Sequence, residues 1–272
     1  MTKKALCIGI NDYPGTKMDL RGCVNDARDW SDTLTARGFE VSMLLDAEAT
    51  KQAIVEAITA LVAEAGEDDS IVITFSGHGT YVPDESGDEV DDLDEALCPY
   101  DIAQGKPLLD DEIHAIFAGR RAGTRLLLIS DSCHSGTVTR DDSPPRDPEE
   151  SWPRFLPLDA WMKRGALPSG GVDRGIFFDE MSNVWTSSLG DDDLLLSGCE
   201  EGRERFSYDA RIDGRHNGAF TYYARKALQE LPEGATYQDW HTAIRRYLPS
   251  GSHNQKPQIF GSEAARKSTI FG

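Results

Sequence analysis

The stretch Ile71-Val72-Ile73-Thr74-Phe75-Ser76-Gly77-His78-Gly79 runs through five apolar or β-branched residues and then sets a histidine between two glycines. An apolar run of that length, closed by glycine, reads as a strand buried on both faces, the kind that parallel sheets use. The same order returns where Leu126-Leu127-Leu128-Ile129 passes into Ser130-Asp131-Ser132-Cys133-His134-Ser135-Gly136. In open α/β sheets the crevice outside the carboxyl ends of the strands is where ligands bind. A histidine after one strand and a cysteine after another can meet there although they are far apart in sequence.

Working outward, further apolar runs near residues 4–10, 39–45 and 193–198 predict strands, with a sixth near Gln258-Ile259-Phe260. Helical spacing fills the gaps. Residues 20–37 bring Val24, Ala27, Trp30 and Leu34 to one face, and residues 50–64 repeat Ile54, Ile58, Leu61 and Val62. Asp110-Asp111 open a short helix through Phe117, and residues 217–230 and 236–248 hold two more. This alternation predicts an α/β fold with a mostly parallel sheet of about six strands and helices on both faces. Residues 1–272 are expected to form one domain without internal repeats. The segment 137–192 breaks the pattern with Pro, Gly and Asp, yet it carries Trp152, Phe155, Trp161, Phe177 and Trp185. These aromatics predict that part of it packs over the strand ends as a lid or an added hairpin.

A thiol is mostly protonated at neutral pH, so a cysteine nucleophile needs a neighbouring base. Cys133 is the candidate nucleophile and His78 the candidate base. His134 adjoins the cysteine, but successive residues at a strand end point apart, and it is expected to orient the loop instead. The amides of Gly79 and Cys133 are candidates for holding a developing oxyanion. Asp131, two residues before Cys133, puts a carboxylate beside the site.

Length and a hydrophobic content of 39% allow one large core, while a net charge of −19 argues against nucleic acid or anionic membranes and for basic peptides or cations. The five cysteines, Cys7, Cys23, Cys98, Cys133 and Cys199, have no metal-site spacing. They are expected to be free thiols in a cytoplasmic enzyme. No stretch is long enough to span a membrane, and Lys3-Lys4 precede a strand rather than a secretory signal. A monomer is expected.

The segments Phe75-Ser76-Gly77-His78-Gly79 and Asp131-Ser132-Cys133-His134-Ser135-Gly136 resemble the two motifs of the metacaspases and their prokaryotic relatives, the orthocaspases. So do Ala5 to Tyr13, Leu20 to Ala27, and Asp94 to Asp101, all in the family's order. The resemblance implies a caspase-like three-layer sandwich and a cysteine endopeptidase that cleaves after Arg or Lys rather than after Asp. It implies that Asp26 joins Asp131 in a substrate pocket completed by Cys23 and Ser76. The alternative for Asp26 is pairing within its own helix. It further implies a large-subunit-like part (1–136), an inter-subunit loop (137–192) and a small-subunit-like part (193–272).

Arg140, Arg146, Arg154, Lys163, Arg164 and Arg174 are basic sites in that loop. Arg146, Lys163, Arg164 and Arg174 are the candidates for self-cleavage, with Lys163-Arg164 and Arg146 leading. The acidic run from Asp84 to Glu95 invites Ca²⁺ but is not an EF-hand, since Glu89 stands where that loop needs glycine. By resemblance Asp110 and Asp111 would join acids of this run, Asp91 and Asp94, in an activating calcium site. Arg140 replaces a further acid expected there, and a merely solvated acidic loop is the alternative. No cofactor is required. Two other readings stay open: a catalytically silent scaffold that binds partners, and an amidase or esterase on the same frame.

Overall fold

The structure is a computed structural model that describes residues 1–83, 93–133, 151–162, 190, 192–199 and 206–272. Its central sheet has six strands: β1 (Lys3–Gly9), β2 (Glu40–Leu45), β3 (Ser70–Ser76), β7 (Arg125–Asp131), β9 (Asp193–Ser197) and β12 (Gln258–Gly261). Their order is β12-β9-β7-β3-β1-β2. All neighbours pair in parallel except β12, which runs antiparallel to β9 with Ile259 opposite Leu196. The mostly parallel sheet predicted from the apolar runs is the one observed.

Side-chain alternation along these strands feeds two cores. Leu6, Ile8, Ile71, Ile73, Phe75, Leu126 and Leu128 face helices α2 (Lys51–Glu64) and α3 (Asp110–Ala118) through Ile54, Ile58, Val62, Ile113 and Phe117. Cys7, Val72, Leu127, Ile129, Leu194 and Leu196 point the other way. There they meet α1 (Cys23–Thr35), α5 (Ala219–Glu230) and α6 (Tyr237–Ile244) through Trp30, Leu34, Phe220, Ala224 and Trp240. Each large side chain buried this way contributes about 1.5–3 kcal/mol, so the two apolar layers commit the strands to one register. Thr50 caps α2 by accepting from the Ala53 amide, and Thr236 with Asp239 forms a capping box on α6.

Two small antiparallel sheets, not anticipated from the sequence, stand at the carboxyl end of the central one. The first joins β4 (Gly79–Pro83), β5 (Leu93–Leu97) and β6 (Leu108–Leu109), and the second joins β8 (Trp152–Pro153), β10 (Tyr208–Ile212) and β11 (Arg215–Gly218). Their strands are too short for an alternation pattern to register. Residues 151–162, within the expected lid, include β8 and a single turn, α4 (Leu158–Trp161). A last short helix, α7 (Glu263–Lys267), follows β12. No helix among the described residues is long and apolar enough to cross a membrane. All five cysteines are buried and none forms a disulfide.

Candidate active site

Strands β3 and β7 pair with Ser76 opposite Asp131. Two residues further along each chain stand His78 and Cys133, so the parallel register alone carries both to the same level at the end of the sheet. Both are buried. The His78 amide donates to the Tyr13 hydroxyl at 2.7 Å, and the Tyr13 ring packs 4.8 Å from the imidazole. A Cβ on Gly77 would come within 2.6 Å of that hydroxyl, which is why glycine precedes the histidine.

The imidazole Nε2 lies 2.6 Å from the Met18 carbonyl oxygen. A carbonyl can only accept, so Nε2 carries the proton and Nδ1 offers the lone pair. Nδ1 is buried and makes no hydrogen bond of normal geometry. Burial pushes the His78 pKa down to about 4, and the nearby Arg154 guanidinium lowers it too, against a rise from the Met18 carbonyl. The imidazole therefore rests neutral at neutral pH, ready to receive a proton.

The amides of Gly79 and Cys133 both donate to one oxygen, the carbonyl of Arg154, at 3.0 and 3.1 Å. Two amides from different strand ends that converge on one carbonyl have the geometry of an oxyanion hole. The Arg154 amide donates to the Ser207 carbonyl at 2.8 Å, and Trp152 and Pro153 pair antiparallel with Asp209 and Tyr208 of β10.

The Arg154 side chain is 0% exposed. An arginine is almost never fully buried unless it is paired. Its guanidinium lies 2.6 Å from Asp26, 3.2 Å from Asp131 and 3.1 Å from Asp209, and it also donates to the Asp131 carbonyl at 3.1 Å. The carboxylates are themselves held in place. Asp26 accepts from the Asn217 side chain at 2.9 Å and the Gly218 amide at 3.0 Å. Asp131 accepts from the Thr221 amide and hydroxyl at 2.9 and 2.7 Å and from the Ser207 hydroxyl. Asp209 accepts from the Arg21 and Gly22 amides at 2.8 and 2.9 Å.

A Cβ on Gly218 would overlap the Asp131 carboxylate and the guanidinium. Cys23 is buried beside this cluster, its thiol held neutral by burial, and Ser76 is buried next to Asp131 in the register. Three acids around one cation leave the pocket with excess negative charge, and burial pushes the Asp26 carboxyl up to about 7 against the pull of Arg154.

The Cys133 sulfur lies 3.2 Å from that of Cys199 and accepts from the Ser207 amide. The hydrogen bond to Cys133 and burial together hold Cys199 as a neutral thiol. Beyond Arg154 the contacts turn apolar. Phe155, Leu156, Leu158 and Trp161 are buried, and the Phe155 ring stacks on Tyr81 at 5.8 Å. Leu156 closes this side, with its amide on the Gly79 carbonyl at 2.8 Å and its carbonyl on the Thr80 hydroxyl at 2.7 Å.

The sequence-derived residues His78, Gly79, Cys133, Asp26, Asp131, Cys23 and Ser76 thus lie at one end of the sheet. Asp26 reaches across to β11 and Arg154 instead of pairing within α1. Asp209, Asn217, Gly218, the Met18 carbonyl and the docked Arg154 were not foreseen as parts of it. Asp209 lies outside every strand and helix expected from the sequence, and a backbone carbonyl leaves no trace in a sequence at all. Asp94 and Asp110 are buried and Asp111 is exposed. No group of three or more His, Cys, Asp or Glu able to hold a metal occurs among the described residues, and residues 84–92 of the acidic run lie outside them. Asp91, His134, Arg146, Lys163, Arg164 and Arg174 lie outside the described residues.

A family model described as metacaspase, peptidase C14 domain, matches residues 3–141. The chain is 31% identical to Metacaspase-1 of Meyerozyma guilliermondii over 96% of this chain and 69% of that one. It is 33% identical to Metacaspase-1A of Aspergillus oryzae over 95% and 67%. A crystal structure of a protein from Geobacter sulfurreducens superposes with a TM-score of 0.73 at 31% identity, covering 100% of this chain and 98% of that one. Caspase-1 of Spodoptera frugiperda superposes with a TM-score of 0.57 at 16% identity, over 100% and 89%, a likeness of fold.

Proposed function

The chain belongs to the metacaspase family of cysteine peptidases, and from that premise we propose that it cleaves polypeptides after Arg or Lys through a Cys133–His78 dyad and processes itself in the segment 137–192. The observation that carries this reading is Arg154, whose carbonyl accepts from Gly79 and Cys133 while its guanidinium is held by Asp26, Asp131 and Asp209. The basic side chain and the carbonyl of one residue are gripped at once, as those of a substrate would be.

In this mechanism the Cys133 thiol passes its proton to His78 Nδ1 as the sulfur attacks the carbonyl carbon after the basic residue. A neutral imidazole favours transfer during attack over a preformed ion pair. The two amides receive the oxyanion, and the imidazolium returns the proton to the leaving amine as the C–N bond breaks. Water then attacks the thioester with His78 as base, releasing the new carboxylate. The buried acids supply discrimination, because an uncharged side chain would leave them desolvated without a counter-charge.

We read the enzyme as a cytoplasmic monomer that binds neither nucleic acid nor membranes, in keeping with its charge of −19. No cofactor enters the mechanism and no step runs through calcium. Equal turnover in chelator and in added Ca²⁺ is expected, and strong activation by Ca²⁺ would assign the acids around Asp91 to an activating calcium site.

A panel of otherwise identical peptides with Arg, Lys, Asp or Gln before the cut tests the reading. Turnover of the Arg and Lys members alone is expected. Turnover of the Asp member overturns the pocket, hydrolysis of esters without peptides favours the esterase, and silence throughout, with no self-cleavage either, favours the scaffold.

A further inference from the structure

The residue in the pocket belongs to the chain itself, and the chain is held on both sides of it. Upstream, Trp152 and Pro153 extend the β10 ladder and Arg154 fills the acidic pocket. Downstream, Phe155, Leu156, Leu158 and Trp161 are buried, Leu156 bonds to both Gly79 and Thr80, and the Trp161 indole donates to the Thr80 hydroxyl at 3.4 Å. The segment passes straight through the site.

We propose that residues 152–161 are a built-in substrate that first blocks the site and is then cut, with Arg154–Phe155 as the self-cleaved bond. This rests on the peptidase reading above and adds to it the identity of the bond and the means of release. Attack by Cys133 sulfur on the Arg154 carbonyl carbon forms the thioester and breaks the bond to the Phe155 nitrogen, which takes the proton from His78. Water completes hydrolysis and leaves Arg154 as a carboxylate and Phe155 as a free amine.

The leaving side is anchored by apolar burial, so the new amino terminus stays beside the thioester and can reseal the bond. Cleavage alone therefore does not open the site. External peptides gain access only when the segment beginning at Phe155 lifts away from Tyr81 and Thr80 and Arg154 leaves the acidic pocket. Arg154 is the one basic residue of the 137–192 segment that is described, and it is seated in the pocket.

The test uses the full chain. Wild-type protein is incubated and its fragments are sequenced from their amino termini, with Cys133→Ala as the uncut control. A new terminus at Phe155 is expected. A first cut elsewhere, after Arg146 or Arg164 for example, overturns the proposal without touching the peptidase reading.

In parallel, turnover of a short Arg peptide is measured for wild type, Arg154→Lys, Arg154→Gln and Trp161→Ala. Arg154→Lys should keep the cut at 154, and Arg154→Gln should lose it. Trp161→Ala, which loosens only the leaving side, should raise turnover of the external peptide at least tenfold. Unchanged turnover in Trp161→Ala overturns the blocking role even if Arg154→Gln fails to fold. Should wild type cut after Arg154 while no form turns over added Arg or Lys peptides, self-processing stands and the wider peptidase reading falls.

Discussion

The two sides of the Arg154 carbonyl are held by opposite physics. On the upstream side, charge and hydrogen bonds dominate: three buried carboxylates, each fixed by main-chain or side-chain donors, surround one guanidinium. On the downstream side Phe155, Leu156, Leu158 and Trp161 are held mainly by burial. Directional pairing discriminates between side chains, because a wrong one leaves desolvated acids unpaired. Apolar burial discriminates little but retains what it holds. The upstream side is thus suited to choosing a substrate, and the downstream side to keeping one in place.

The sharpest way to break this comparison is to remove the chemistry between the two sides. Cys133→Ala should lower turnover at least about 10⁴-fold and stop self-cleavage, since no neighbouring group replaces the sulfur. Circular dichroism and thermal melting should show the fold retained, and substantial activity in that variant would sink the mechanism.

Next in size is the upstream side. Asp131→Ala or Asp26→Ala should cost Arg peptides about 3 kcal/mol, roughly 150-fold in kcat/KM, the scale of a truncated buried charge pair. Comparison with a peptide carrying an uncharged residue before the cut checks specificity. An equal loss for both peptides would mean that these acids hold the fold and do not select the substrate.

The downstream side is tested in the uncut Cys133→Ala background. Adding Phe155→Ala removes the Tyr81 stacking and the burial of the ring, a loss of about 3 kcal/mol. Amide exchange at Leu156, which donates to Gly79, should quicken by roughly two orders of magnitude, while exchange at Arg154, which donates to Ser207, changes much less. Equal acceleration at both amides would erase the distinction between the sides.

The smallest effect is one of pH. Burial sets the Asp26 carboxyl at about 7, and removing the Arg154 cation raises it further, whereas His78 sits at about 4. The protonated acid no longer matches a cationic substrate. The acid limb of kcat/KM for Arg peptides is therefore expected at or above about pH 7, falling up to about tenfold per pH unit below it, and Asp26→Asn should abolish it. A limb near 4 in wild type would assign it to His78 instead.

The runs around Val72, Leu127 and Leu195 showed the strands directly, because a strand buried on both faces must be apolar throughout and that demand is local. The short strands β4, β5, β8 and β11 escaped notice because four or five residues, or two, give no period, and pairing partners far along the chain define them. The same contrast runs through the site. His78 and Cys133 follow long strands and so were legible, whereas Asp209 follows a stretch with no comparable signal.

What the sequence determined by itself was the parallel sheet, the level at which His78, Gly79 and Cys133 leave it, and the presence of acids close to Cys133. These follow from residue type and spacing within single segments. Only the tertiary structure decided that Asp26 leaves its helix partners for Asn217 and Gly218, that a Met18 carbonyl fixes the His78 tautomer, and that Arg154 is the basic residue in the pocket. Each is a contact between segments remote in sequence, set by how layers and loops pack in space, and a main-chain oxygen or one arginine among several carries no mark of the neighbour it will meet.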